Sequence, residues 1–167
     1  MGLIFEYESR VVLKLGDHVV ELLNGHVQMD ARATEAGGVI LGRWLVAEMC
    51  FIADEISEPV ADDRRTRTSF FRSAGPHAQM IVESLHRSRD TCGYLGEWHT
   101  HPEPDPRPSN VDLADWRRRL RVDRVDIPWV FFVIVGTAKV AAWMGERSRA
   151  KIHPLRPHIS SSDARQT

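Results

Sequence analysis

The chain is poor in cysteine. Its 167 residues hold two, Cys50 and Cys92, far apart and without the close spacing of a thiolate metal module. That excludes a disulfide scaffold and leaves two buried thiols as the expectation. Long apolar runs are missing as well. No stretch approaches the roughly 20 residues that span a bilayer, so no membrane crossing is expected. An excess of one charge is also absent. With 22 basic and 23 acidic residues the net charge is −1, which gives no footprint for nucleic acid or a membrane surface as partner. The opening residues, Met1 to Glu6, lack a basic segment leading into an apolar one, so a secretory signal is not expected. Glu6 also stands where a lipidation signal at Gly2 would need Ser or Thr. A cytoplasmic protein is the expectation.

What is present is an ordinary globular composition, 43% apolar and 27% charged, in a length that suits one domain with one core. That domain is expected over residues 1–159, with residues 160–167 a polar, frayed tail. One or two short strands are expected in residues 3–13 and a short helix in 17–28. Residues 39–41 and 46–56 read as paired strands turning near Gly42-Arg43. Residues 62–67 read as a charged loop and 68–71 as a short strand. Pro76 is expected to open a helix running to Ser88, with Met80, Ile81 and Leu85 on one side. Residues 94–98 read as a strand, and residues 103–108 carry prolines that forbid helix or interior strand. Ser109 suits the N-cap of a further helix, with Asp112 at its third position. Residues 128–136 form a strongly apolar strand paired with residues 139–143. Helices among hairpin-connected strands argue for an α+β fold.

His99-Thr100-His101-Pro102, at the end of the strand over 94–98, carries the chemistry. Strand side chains alternate faces, so His99 and His101 point the same way and Thr100 points away. Asp112 lies eleven residues past His101, beyond the proline-stiffened loop, and can return as a third ligand. Two neutral imidazoles and a carboxylate suit catalytic zinc, with the fourth tetrahedral position left open. A His-x-His pair alone recurs by chance; Pro102, Ser109 and Asp112 at fixed offsets make the pattern specific.

The whole string, His-x-His-Pro, six residues, Ser-x-x-Asp, resembles the signature of the JAB1/MPN/Mov34 metalloenzymes, the JAMM proteases. Their upstream element, a glutamate followed by glycines and an apolar run, is matched by Glu35-Ala36-Gly37-Gly38-Val39-Ile40-Leu41-Gly42. The resemblance covers about Glu35 to Trp143. It implies a curved mixed β-sheet flanked by helices, of cytidine-deaminase-like kind, with the metal at one edge. It implies Zn²⁺ held by His99, His101 and Asp112, Glu35 as the general base for the attacking water, and Ser109 as an oxyanion donor. The resemblance is to the bacterial branch. Gly96 to Glu103 is similar to the deconjugating proteases of anti-phage operons with cyclic-oligonucleotide signalling (CBASS). The implied activity is a zinc isopeptidase or peptidase acting on a ubiquitin-like or C-terminal-tail conjugate, with E1/E2-like bacterial proteins as further partners.

Alternatives stay open at single residues. Without the resemblance Glu35 would read as a solvent-exposed carboxylate at a strand edge. Ser109 can cap its helix, assist the oxyanion, or do both in turn. Glu97 shares the face of the two histidines and either orients a ligand or pairs with an arginine. Asp115 is a rival ligand or an acceptor behind Asp112. Trp98 and Trp116 read as core aromatics. Arg117, Arg118, Arg119 and Arg121 read as a solvated helix face or a hold for an acidic partner. The remaining histidines, His77 among them, read as scattered surface residues. Competing functions are processing of a sulfur-carrier protein, a metal-free MPN scaffold and a metal-dependent phosphodiesterase.

Overall fold

The computed structural model describes residues 2–158, so the expected tail lies outside the described residues. In chain order the elements are β1 (Leu3–Tyr7), β2 (Val11–Leu15), α1 (Asp17–Gly25), β3 (Gly37–Leu45), β4 (Cys50–Ile56), β5 (Arg64–Thr66), β6 (Ser69–Phe71) and α2 (Ala74–Ser88). They continue with β7 (Gly93–Thr100), α3 (Asn110–Val122), β8 (Trp129–Val135), β9 (Val140–Glu146), β10 (Lys151–Pro154) and β11 (Arg156–Pro157). Nine strands form one sheet in the order β10-β9-β8-β7-β3-β4-β2-β1-β11, and β5 pairs with β6 apart from it. The β2–β4 and β7–β8 pairs are parallel and the others antiparallel. The fold is thus the expected α+β domain with a curved mixed sheet. Among the described residues no helix is long and apolar enough to cross a membrane.

The central strands β3, β7 and β8 are apolar almost throughout because both sheet faces are covered. One face packs Leu95, Trp98, Phe131 and Val133 against Val19 and Leu23 of α1. On the other face, Trp116 and Leu120 of α3 pack on Val130, Phe132 and Ile134. Beside them α2 sets Ile81 against Val39, Leu41 and Cys92. Full burial of one such large side chain stabilises by about 1.5–3 kcal/mol. Cys50 and Cys92 are the buried free thiols expected.

Four expectations for the elements change. Pro76 does not open α2, which starts at Ala74 after Ser73 and holds Pro76 at its third position, where the missing N–H costs no helical bond. The chain does not turn at Gly42-Arg43: β3 runs on to Leu45, and residues 46–49 form the turn. Gly42 sits instead at a bulge, where a Cβ would lie 1.9 Å from the Ile52 carbonyl oxygen; the missing side chain serves close strand approach. The charged segment 62–67 is not all loop, because Arg64–Thr66 pairs with Ser69–Phe71. Its arginines are spent locally. Arg64 lies over the Phe71 ring, Arg65 reaches the Glu35 carbonyl, and Arg67 reaches the carbonyls of Asp30 and Ala31. Finally, α1 stops at Gly25, and Gln28 turns inward beyond it.

Candidate metal centre

The centre lies where the end of β7, the start of α3 and the segment entering β3 meet. β7 pairs with β3 in a register that sets His99 across from Gly37. Continuing it by two residues sets Glu35 across from His101. The glycines permit this closeness: a Cβ on Gly38 would stand 2.1 Å from the Ser57 carbonyl oxygen, and one on Gly37 would stand 2.7 Å from that of Trp98. Alternation acts as expected. Glu97, His99 and His101 face α3, and Thr100 faces the opposite side, toward Gln28.

Asp112 is brought in by local chemistry at the head of α3. Ser109 is the N-cap, its hydroxyl accepting the Asp112 N–H at 3.1 Å. The Asp112 carboxylate answers by accepting the Ser109 N–H and O–H, both at 2.6 Å and both on Oδ2. This capping box fixes the side chain, with Oδ1 turned to His99 and Oδ2 shared between Ser109 and His101.

His99 Nε2 and His101 Nε2 are 3.0 Å apart. Asp112 Oδ1 is 3.4 Å from His99 Nε2, and Oδ2 is 3.5 Å from His101 Nε2. Four donors at zinc bond lengths of about 2.0–2.2 Å in a tetrahedron stand about 3.3–3.6 Å from one another. The two imidazole–carboxylate spacings match that edge, and the two imidazole nitrogens stand somewhat closer. Two neutral imidazoles with Nε2 lone pairs converging at this distance repel unless a cation or proton lies between them. Chemistry and geometry therefore fit a divalent ion with borderline-soft preference. These three residues are the group whose ligand atoms converge among the described residues, so the expected triad is brought together. One feature departs from common practice. His101 Nδ1 is buried with no hydrogen-bond partner among the described residues, whereas a ligand histidine usually donates its second N–H.

Glu35 is not the exposed edge carboxylate of the alternative reading; it is 4% exposed. Its Oε1 lies 3.9 Å from His101 Nε2. Burial pushes its pKa up to about 7, against the pull of His101, with Asp112 and Glu103 adding to the rise. Burial drops the His99 pKa to about 4, so its ring is neutral at pH 7. For His101, burial pulls downward, but the Asp112 hydrogen bond and the Glu35 charge outweigh it and the pKa is raised. Burial alone would raise Asp112; hydrogen bonds from His101 and Ser109 and the His99 charge hold it well below the ordinary carboxylate range.

The remaining candidates divide. Glu97 pairs with Arg72 at 2.7 Å and Arg119 at 2.9 Å, the arginine pairing of its two readings. Asp115 binds Arg118 and Arg119 and stays out of the ligand group. Trp98 and Trp116 are core aromatics, Trp116 stacking on Phe132. Arg117, Arg118 and Arg121 are exposed as a solvated face, but Arg119 is drawn inward by its carboxylates. His77 overturns the surface reading: it is 0% exposed and bonded to Ser57 and Asp63. Sequence reasoning also missed Gln28, Arg65 and the role of Thr100. All three act on backbone groups near Glu35, and only the placement of Thr100 between the histidines gave a signal.

Known proteins bear on this geometry. The family described as prokaryotic homologs of the JAB domain matches residues 19–148. A Vibrio cholerae serotype O1 protein named CD-NTase/cGAS isopeptidase is 34% identical over 150 residues, covering 90% of this chain and 91% of its own. An Escherichia coli protein of the same name is 32% identical over 158 residues, covering 95% of each chain. In fold, the chain is similar to the solution structure of protein DSY2949 from Desulfitobacterium hafniense. That likeness has a TM-score of 0.55 at 18% identity and covers 86% of this chain and 88% of that one. The match over most of the length and the converging His, His and Asp donors lead to one assignment: the chain belongs to the prokaryotic homologs of the JAB domain.

Proposed function

We propose that the protein is a zinc-dependent isopeptidase that releases a protein from a conjugate made through a C-terminal tail. The observation that carries this reading is the convergence of His99, His101 and Asp112 at tetrahedral spacing, with a buried Glu35 carboxyl 3.9 Å from His101 Nε2. Relatives named CD-NTase/cGAS isopeptidase support a nucleotidyltransferase conjugate as the target class; attachment through the C-terminus, a CBASS-type anti-phage setting and E1/E2-like conjugating proteins as partners belong to the proposal. Such a role belongs in the cytoplasm.

Zinc held by His99, His101 and Asp112 would supply Lewis acidity and make a water at the site more acidic. Glu35 accepts the proton of the attacking water and returns it to the leaving amine. A carboxyl with a pKa raised to about 7 is suited to both transfers near neutral pH. Ser109 holds Asp112 through the capping box and turns its O–H toward the oxyanion during turnover. Asp112 is kept ionised and His99 neutral, while His101, its pKa raised by Asp112 and Glu35 in the metal-free site, gives up its proton when it binds a metal. Hydrolysis by an activated water forms no acyl-enzyme, so serine and cysteine protease inhibitors leave it unaffected.

The test is incubation of zinc-loaded protein with a nucleotidyltransferase conjugated through its C-terminal tail, beside a chelator-treated sample and Glu35→Gln. Cleavage at the tail by the first sample alone is expected. An uncut conjugate, with partner binding equal with and without zinc, replaces the reading with that of a scaffold.

A further inference from the structure

Thr100 separates the two candidate ligands yet points away from them, and it is 0% exposed. Its hydroxyl accepts the Ala36 N–H at 2.9 Å and donates to Gln28 Oε1 at 2.9 Å. Its own N–H donates to the Ala36 carbonyl at 2.8 Å. Gln28, 2% exposed, then spends its amide group on two carbonyls, those of Ala33 at 3.1 Å and Arg67 at 3.0 Å. The segment thus gripped, residues 33–36, carries Glu35 and lies outside regular secondary structure. Glu35 itself is held from the other side. Its N–H donates to the Thr66 carbonyl at 2.7 Å, and its carbonyl accepts Arg65 Nε at 2.5 Å.

A segment without a strand ladder has backbone groups that need partners. Here one buried amide and one buried hydroxyl meet that need, and both are anchored to the strand that bears His99 and His101. We propose that Gln28, acting through Thr100 and the carbonyl of Ala33, is a positioning residue that fixes the Glu35 carboxyl relative to the metal centre. Its hold on the Arg67 carbonyl adds the β5–β6 hairpin to the same frame. This rests on the reading of Glu35 as the proton-transferring group. The chemistry needs such a device, because a displacement of about 1 Å in a reacting geometry costs about 10²-fold in rate.

Gln28→Leu keeps the volume and removes every hydrogen bond of the side chain. Three results are expected. Zinc stoichiometry stays at the wild-type value, and kcat falls about 10- to 100-fold with KM unchanged. In the metal-free protein, hydrogen exchange of the Ala36 amide accelerates, a readout independent of activity. Combined with Glu35→Gln, Gln28→Leu brings no further loss, because its effect runs through that carboxyl. A purely structural role would instead lose zinc or add its full effect in the Glu35→Gln background; either of these overturns the proposal. Should Gln28→Leu not fold, Thr100→Val and Thr100→Ser take its place. Loss in the first with recovery in the second supports the proposal, and equal turnover in both overturns it. Near-normal turnover by Glu35→Gln sinks the underlying reading. Inactive Glu35→Gln beside fully active Gln28→Leu sinks this inference alone.

Discussion

Two buried clusters of histidine and carboxylate lie among the described residues, and they are built to opposite ends. In the first, Ser57 Oγ donates to His77 Nδ1 at 2.6 Å, and His77 Nε2 donates to Asp63 at 3.2 Å. Asp63 also accepts the Ser73 N–H and O–H on one oxygen and the Val60 N–H on the other. Ser57 Oγ accepts the Val39 N–H as well. Each donor finds an acceptor, and both ring nitrogens of His77 and both carboxylate oxygens of Asp63 already have partners. In the second cluster, two Nε2 atoms and a carboxylate converge with too few protons among them. Residue types do not separate the two clusters. Satisfaction does: the closed one staples the segment before α2 to β3, and the open one is suited to a cation.

The largest effect that sharpens this contrast is loss of the metal. The wild type is expected to carry about one zinc per chain, and His101→Ala or Asp112→Ala to lose it and with it all measurable hydrolysis. Elemental analysis of purified proteins checks this, and full zinc in the double variant would break the assignment.

Next comes Glu35. Glu35→Gln is expected to keep zinc and lose about 10²- to 10⁴-fold in turnover, measured on a tail-conjugated substrate. Its stability should move the other way. The folded pKa of Glu35, about 7, lies above the ordinary 4.5, so the folded state binds the proton more tightly. In the metal-free protein that stability is complete below pH 4.5 and declines as pH rises to about 7, by about 3 kcal/mol in all. Glu35→Gln removes the decline. Urea titrations at pH 4.5 and 8 read it directly; equal pH dependence in both proteins would rule out the buried, raised carboxyl.

Ser109→Ala follows. Loss of an oxyanion donor costs about 2.7–4 kcal/mol in the transition state, against about 1 kcal/mol of stability for a lost cap. Normal turnover with a lowered melting temperature would reduce Ser109 to the capping box seen at rest.

The smallest effect on chemistry is expected from the closed cluster. His77→Ala leaves Asp63 and Ser57 short of a partner, at about 1–3 kcal/mol of stability for each buried group, yet zinc content and kcat should hold. Zinc loss in a folded His77→Ala protein would mean that the two clusters are not separate.

Much of the open cluster was legible in the chain. His99 and His101 share a face because strand alternation has a period of two residues. Ser109 and Asp112 meet because a capping box closes over one helical turn. The triad, the α+β class and most elements follow from such short-range rules. The length of β3 was misread at Gly42, because glycine marks a turn in sequence terms while here it admits the Ile52 carbonyl. Residues 62–67 looked like solvated charge, because their targets are backbone carbonyls that no pattern of side chains announces.

The sequence by itself determined which residues can bind a metal and which way they point, since alternation and capping are set by backbone geometry over four residues or fewer. Only the tertiary structure decided what surrounds them. The β3–β7 register carries Glu35 to His101 across 66 positions, burial raises its pKa, and Gln28 reaches Thr100 across 72. The same packing buries His77 with its partners filled. Burial and pairing of this kind depend on which distant strand lies alongside, and no local window of the chain contains that information.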